Sequence, residues 1–118
     1  MYDYKNAIEI LIENIPEMKV KYENDRDYYE GLPYVFYETE FEKFIVNQIK
    51  NENIEMLKKI FTFIENMLEK GDKEIKSLIE VSIIESLTYE QSFKLFFKYV
   101  EECFGILTKQ SFNRIKNI

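Results

Sequence analysis

The sequence predicts an all-α domain, and three observations carry that expectation. Apolar residues recur at intervals of three and four along most of the chain, the spacing that gathers side chains onto one helical face. Residues able to cap a helix start, among them Asn53, Asp72 and Thr88, stand where these runs begin. No stretch of alternating strand character is longer than Tyr34 to Tyr37. The expected architecture is one domain over residues 1–118, with about five or six antiparallel helices arranged as a bundle or a short superhelix of helix pairs.

The first helix is predicted over Tyr4 to Ile15, where Tyr4, Ala7, Ile8, Leu11, Ile12 and Ile15 share one face. Pro16 ends it and is acceptable in the first turn of a short second helix reaching Tyr22. Asn24 to Pro33 gathers Asn24, Asp25, Asp27, Gly31 and Pro33 without apolar periodicity and reads as a loop. Phe41, Phe44, Ile45 and Ile49 mark the next helix, which starts between Pro33 and Glu40 and stops near Asn51.

Asn53 is placed to cap a long helix whose stripe runs through Ile54, Leu57, Ile60, Phe61, Ile64, Met67 and Leu68. Lys58, Thr62, Glu65, Asn66 and Glu69 take its wet side, and Gly71 follows as a residue that tolerates left-handed backbone. Asp72 caps the following helix, in which Ile75, Leu78, Ile79, Val81, Ile83, Ile84 and Leu87 wrap almost the whole circumference, so this helix belongs in the middle. Thr88 to Gln91 has the form of a capping box opening a helix with Phe93, Phe96, Phe97, Val100, Cys103 and Phe104 on its buried face. Gly105 closes that helix, and Thr108 or Ser111 opens a last one with a basic outer side of Lys109, Arg114 and Lys116.

Composition narrows the function. A hydrophobic share of 46% with ten Phe and nine Tyr supports a folded core rather than a disordered chain. Histidine is absent, which excludes serine and cysteine triads that use imidazole and removes the commonest zinc ligand. Cys103 is the only cysteine, so neither an intrachain disulfide nor a cysteine-based metal site is available. Met1 is followed by Tyr-Asp-Tyr-Lys rather than by a basic stretch and an apolar run, and no apolar segment approaches a bilayer span; a cytoplasmic protein with no secretory signal and no membrane contact is expected.

Charge is unevenly spread. Residues 1–42 hold eleven acids against four bases, while 43–118 hold eleven acids and twelve bases, and seven of the nine tyrosines fall in the acidic part. Clustered carboxylates steer cationic partners, and tyrosine supplies large contact area at low conformational cost. The expected partner-binding residues are therefore Asp25, Asp27, Tyr28, Tyr29, Glu30, Tyr34, Tyr37, Glu38 and Glu40. The competing reading is a merely solvated loop, with Tyr34, Phe36 and Tyr37 sealing the core.

Other candidates fall to simpler explanations. Glu85 lies between Leu78 and Val81 on the helical wheel and is expected to be partly buried, but it has no visible catalytic companion. The pairs Glu9 with Glu13 and Glu38 with Glu42 are spaced for metal ligation yet lack the histidine of bundled di-iron sites, and Asn24 to Asp27 lacks the glycine and terminal glutamate of a calcium loop. Cys103 reads as a small buried hydrophobe beside Glu101 and Glu102. With cations interspersed among acids and no glycine-rich phosphate loop, neither direct nucleic-acid binding nor a cofactor is expected.

The segment Gly71-Asp72-Lys73-Glu74-Ile75-Lys76-Ser77-Leu78-Ile79-Glu80-Val81-Ser82-Ile83-Ile84-Glu85-Ser86-Leu87 resembles a recurring stretch of small, uncharacterised helical bacterial proteins. Some of these are immunity proteins of contact-dependent or polymorphic toxin systems, and the resemblance extends from Tyr34 to Leu87. It implies a stand-alone cytoplasmic protein that blocks one cognate toxin by covering its active site or substrate groove, and it transfers no functional residue. The combined expectation is a non-enzymatic inhibitor, monomer or homodimer, that binds a basic toxin domain of nuclease type. The alternative is a structural or regulatory adaptor that self-associates through apolar helix faces.

Overall fold

The computed structural model describes Tyr2 to Lys116, and of Lys116 the backbone alone. Among the described residues there are nine helices, six of them seven residues or longer, and no strand. A 3₁₀ turn (Tyr4–Asn6) leads into α1 (Ala7–Asn14), followed by α2 (Met18–Asn24) and the single turn α3 (Arg26–Tyr29). Then come α4 (33–50), α5 (Ile54–Lys70), α6 (73–88), α7 (Gln91–Leu95), α8 (Phe97–Glu101) and α9 (Ile106–Lys116). The radius of gyration is 13.3 Å, close to the roughly 13 Å of a compact chain near 100 residues, so these helices form one body.

α5 packs against α4, α6 and α9, and α6 touches α4 and α9 as well. The short helices α1 to α3 cover the first half of α4, and α7 lies against its second half. The chain start is clipped to the joint between α5 and α6. The Tyr2 amide donates to the Lys70 carbonyl and the Asp72 amide to the Tyr2 carbonyl, each at 3.0 Å. Asp72 accepts from the Ile75 amide at 2.8 Å, as its capping role predicts, and from the Tyr4 amide at 3.1 Å. These bonds, that from Ile75 first, hold its carboxyl below the usual range.

Asn53 caps α5 through the Met56 amide at 3.3 Å. Gly71, in contrast, is not left-handed: its φ is −78° and ψ 156°. Glycine is needed there for space, since a Cβ would stand 2.2 Å from Cγ2 of Ile75 and 2.5 Å from the Met67 carbonyl oxygen.

Two of the long helices contain a π turn, and both alter what simple periodicity predicts. In α4 it spans Tyr37–Phe41, with the Glu42 amide reaching back to the Tyr37 carbonyl. The wider turn lets Phe36, Tyr37 and Phe41 all face the core. In α6 it spans Glu80–Glu85, and three consecutive residues, Ser82, Ile83 and Ile84, are buried. The shifted register turns Glu85 out to solvent, so its expected partial burial fails, and leaves Val81 50% exposed.

The same shift carries α6 on to Thr88, which therefore ends a helix instead of opening one. Its hydroxyl donates to the Glu85 carbonyl at 2.6 Å, and no side chain caps the start of α7 at Gln91. The predicted helix from Thr88 to Phe104 is also broken at Phe96 into α7 and α8. The expected loop between Asn24 and Pro33 contains the helical turn α3.

The last helix starts at Ile106 because of a residue assigned to the wet side of α5. The Glu65 carboxylate accepts from the Leu107 amide at 3.0 Å, the Thr108 amide at 2.9 Å and the Thr108 hydroxyl at 2.8 Å. An anion at the positive end of a helix, bonded to its free amides, is a capping arrangement assembled between distant segments. Gly105 admits it: a Cβ there would lie 2.3 Å from Cδ of Glu65.

Candidate functional site

Of the four tyrosines expected to face a partner, only Tyr28 stands fully in solvent, 61% exposed. Tyr37 has no exposed surface, and its hydroxyl donates to the Ala7 carbonyl at 2.7 Å. Tyr29 is buried against Phe36, with ring centroids 5.0 Å apart, and donates to Oε2 of Glu40 at 2.6 Å. Tyr34 is half-buried, tilted on Tyr4 at 5.8 Å, and donates to the Ser77 hydroxyl at 3.2 Å. The expectation of outward rings is thus corrected for Tyr29 and Tyr37. A phenol can enter a core when one polar atom meets its hydroxyl, and here a carboxylate and a backbone carbonyl do so.

Burial raises the titration of both phenols, and Tyr29 is raised further by the bond to Glu40, so neither ionises near neutrality.

The anions behave differently. Asp25, Asp27, Glu30 and Glu38 are exposed, whereas Glu40 is half-buried and engaged by Tyr29. Between α1 and the α2–α3 segment lies a cleft of about 520 Å3 into which Glu9, Glu13, Glu23 and Glu30 converge. Lys5, Lys19 and Arg26 also reach it. Lys19 is engaged with Glu23 at 3.9 Å, and the Arg26 guanidinium sits over the Tyr22 ring at 5.4 Å. Val20 and Leu32, exposed beside the acids of this segment, were missed as contact candidates because they belong to no periodic stripe. In the sequence Glu9 and Glu13 stand out only as a pair spaced for a metal.

A second carboxylate arrangement joins Glu42 on α4 to Glu90 before α7. Burial pushes the Glu42 carboxyl up to about 7, with the charge of Glu90 and a hydrogen bond to it adding, Glu38 contributing and Lys43 opposing. Two carboxyl groups bond to each other only when one keeps its proton. With both ionised, Oε1 of Glu42 is buried without a donor, and a retained proton relieves that strain. Nothing in the sequence links positions 42 and 90, so this pair was not foreseen.

Among the described residues no group of three Asp, Glu or Cys side chains is placed to hold a metal ion. Cys103 is half-buried and its thiol is raised, by burial first, with Glu102 adding and Lys58 opposing. That environment disfavours the reactive thiolate. In the basic tail, Arg114 pairs with Glu80 at 3.1 Å, Lys109 is exposed, and the Lys116 side chain lies outside the described residues. No helix among the described residues is long and apolar enough to cross a membrane.

No curated protein and no solved structure matches the chain. One family model does, over residues 8–115, from α1 through nearly all of α9. With nearly its whole length matched, the chain belongs to the family described as a domain of unknown function, DUF7674.

Proposed function

We propose that this protein is a non-enzymatic binding module that docks a basic protein through its acidic amino-terminal face, most concretely an immunity protein that covers and neutralises a nuclease-like toxin domain. The observation that supports the reading is the convergence of Glu9, Glu13, Glu23 and Glu30 on one cleft, where they outnumber Lys5, Lys19 and Arg26, with Asp25 at the α2–α3 joint and Asp27 and the exposed Tyr28 on α3 beside it. Enzymes that act on nucleic acid need cationic surfaces for phosphate, and an acidic protein can occupy such a surface with fast, electrostatically steered association. Val20, Tyr28 and Leu32 give the face apolar anchors. The contact set therefore differs from the one the sequence suggested: Glu9, Glu13, Glu23, Val20 and Leu32 join it, and Tyr29 and Tyr37 act as its supports.

The test is co-production with basic nuclease domains encoded beside the gene, followed by binding measurements over a range of salt. Protection of the host and a steep loss of association rate with salt are expected. Replacing Glu9, Glu13, Asp25, Asp27 and Glu30 by their amides should slow association at low salt by about tenfold or more, and Tyr28→Ala should weaken binding by about 1–2 kcal/mol. An amide variant with unaltered salt dependence would remove the interface from this face.

A further inference from the structure

A different part of the surface has the opposite character. Thr88 at the end of α6 and residues of α7, α8 and α9 line an open cavity of about 590 Å3, within the roughly 300–1,000 Å3 typical of small-molecule sites. Its apolar lining is Phe93, Phe97, Phe112 and Leu95, and its charged lining is Lys94 and Lys98, with no carboxylate among the described residues. In a chain of net charge −6 this is a local reversal of sign.

The floor is preformed. Phe93 and Phe112 are each 3% exposed and stack at 5.1 Å and 23°. Phe112 stacks in turn on Phe104 at 4.8 Å and 8°, so the rings meeting a ligand are fixed from behind. The rim is open. Leu95 is 69% exposed, and Lys94 and Lys98 are exposed. The ion pairs among the described residues are Lys19 with Glu23 and Arg114 with Glu80, which leaves both rim ammonium groups free of a carboxylate.

We propose that this cavity binds a small amphiphilic carboxylate, such as a medium-chain fatty acid. Its apolar body lies along Leu95 and Phe97, over the edges of the buried Phe93 and Phe112, and its anionic head meets Lys94 and Lys98. A wholly apolar ligand would make no use of the two cations at the mouth, whereas a carboxylate head gains from both. A folded protein partner needs a contact of about 20–30 residues a side, whereas this lining comes from one stretch of eleven residues, 88–98, and a single side chain of α9. The break at Phe96 is what makes the site: it ends α7 and starts α8 within the lining.

The site is separate from the acidic face, and its test needs no toxin. The intact chain is titrated calorimetrically at pH 7 with decanoate below its micellar concentration, and with decyltrimethylammonium as the matched cation. Saturable one-site binding of decanoate is expected, at least about tenfold tighter than the cation, with amide resonances of residues 93–98 and of Phe112 shifting on addition. The double variant Lys94→Glu, Lys98→Glu should weaken decanoate by about tenfold or more while leaving thermal unfolding unchanged, because both positions are exposed. Leu95→Ser should weaken both amphiphiles by about threefold through lost apolar contact. Absence of saturable binding, equal affinity for the two amphiphiles, shifts confined to other segments, or full affinity in the double variant would each overturn the proposal.

Discussion

The aromatic residues of the two ends of the chain are used in different ways. In the amino-terminal part the rings are tied down by their hydroxyls: Tyr37 to the Ala7 carbonyl, Tyr29 to Glu40, Tyr34 to Ser77. In the carboxy-terminal part Phe93, Phe104 and Phe112 carry no polar atom and stack on one another, with Phe97 set edge-on to Phe93 and Phe104. The difference teaches that a tyrosine-rich segment is not by that fact a contact surface. A hydroxyl specifies where a ring must point, whereas phenylalanines are positioned by shape alone, and where their packing leaves space a cavity opens.

The contrast makes testable claims, of which the largest concerns the stacked cluster. Phe104 lies between Phe61 and Phe112, at 4.8 Å from each, so Phe104→Ala removes contacts on both sides and leaves a void. A loss of about 3–5 kcal/mol in chemical denaturation is expected, and a loss below 1 kcal/mol would mean that the cluster relaxes freely. Tyr37→Phe tests the other region. The ring stays but the Ala7 carbonyl loses its donor, for an expected cost of about 1–2 kcal/mol with little structural change. A neutral result would show that packing, not the hydroxyl, holds the amino-terminal rings as well.

The smallest effect is the dependence on pH at the boundary between the two parts. Glu42 is raised from 4.5 to about 7 in the folded protein, chiefly by burial. A carboxyl raised on folding favours the folded state while protonated. Its contribution is therefore fully present below about pH 4.5 and is lost as pH climbs through about 7. Glu42→Gln should flatten that decline in Tm between pH 5 and pH 8 and make the protein more stable than the parent at the upper end. An unchanged profile would assign the titration to another group.

Much of the fold was legible in the sequence because its signals are local. Asn53 and Asp72 cap the helices their positions predict, and the stripe from Ile54 to Leu68 is buried except at Ile54. What was misread depends on a change of helical register or on remote partners. The π turns at Tyr37–Phe41 and Glu80–Glu85 rotate everything after them, which is why Glu85 and Thr88 were misplaced. Tyr29, Tyr37 and Glu65 were misassigned because each is satisfied by an atom from another element.

From its residues alone the chain determined that it is helical, where α5 and α6 begin, and that its acidic charge is concentrated before residue 43, because periodicity, capping and charge are properties of neighbouring positions. Only tertiary structure decided which tyrosines face solvent, that Glu65 starts α9, that Glu42 meets Glu90, and that Lys94 and Lys98 rim an aromatic cavity. The physical reason is common to the first three. A polar group's burial depends on whether a partner arrives from elsewhere in the chain, and the helical pattern carries no record of that partner.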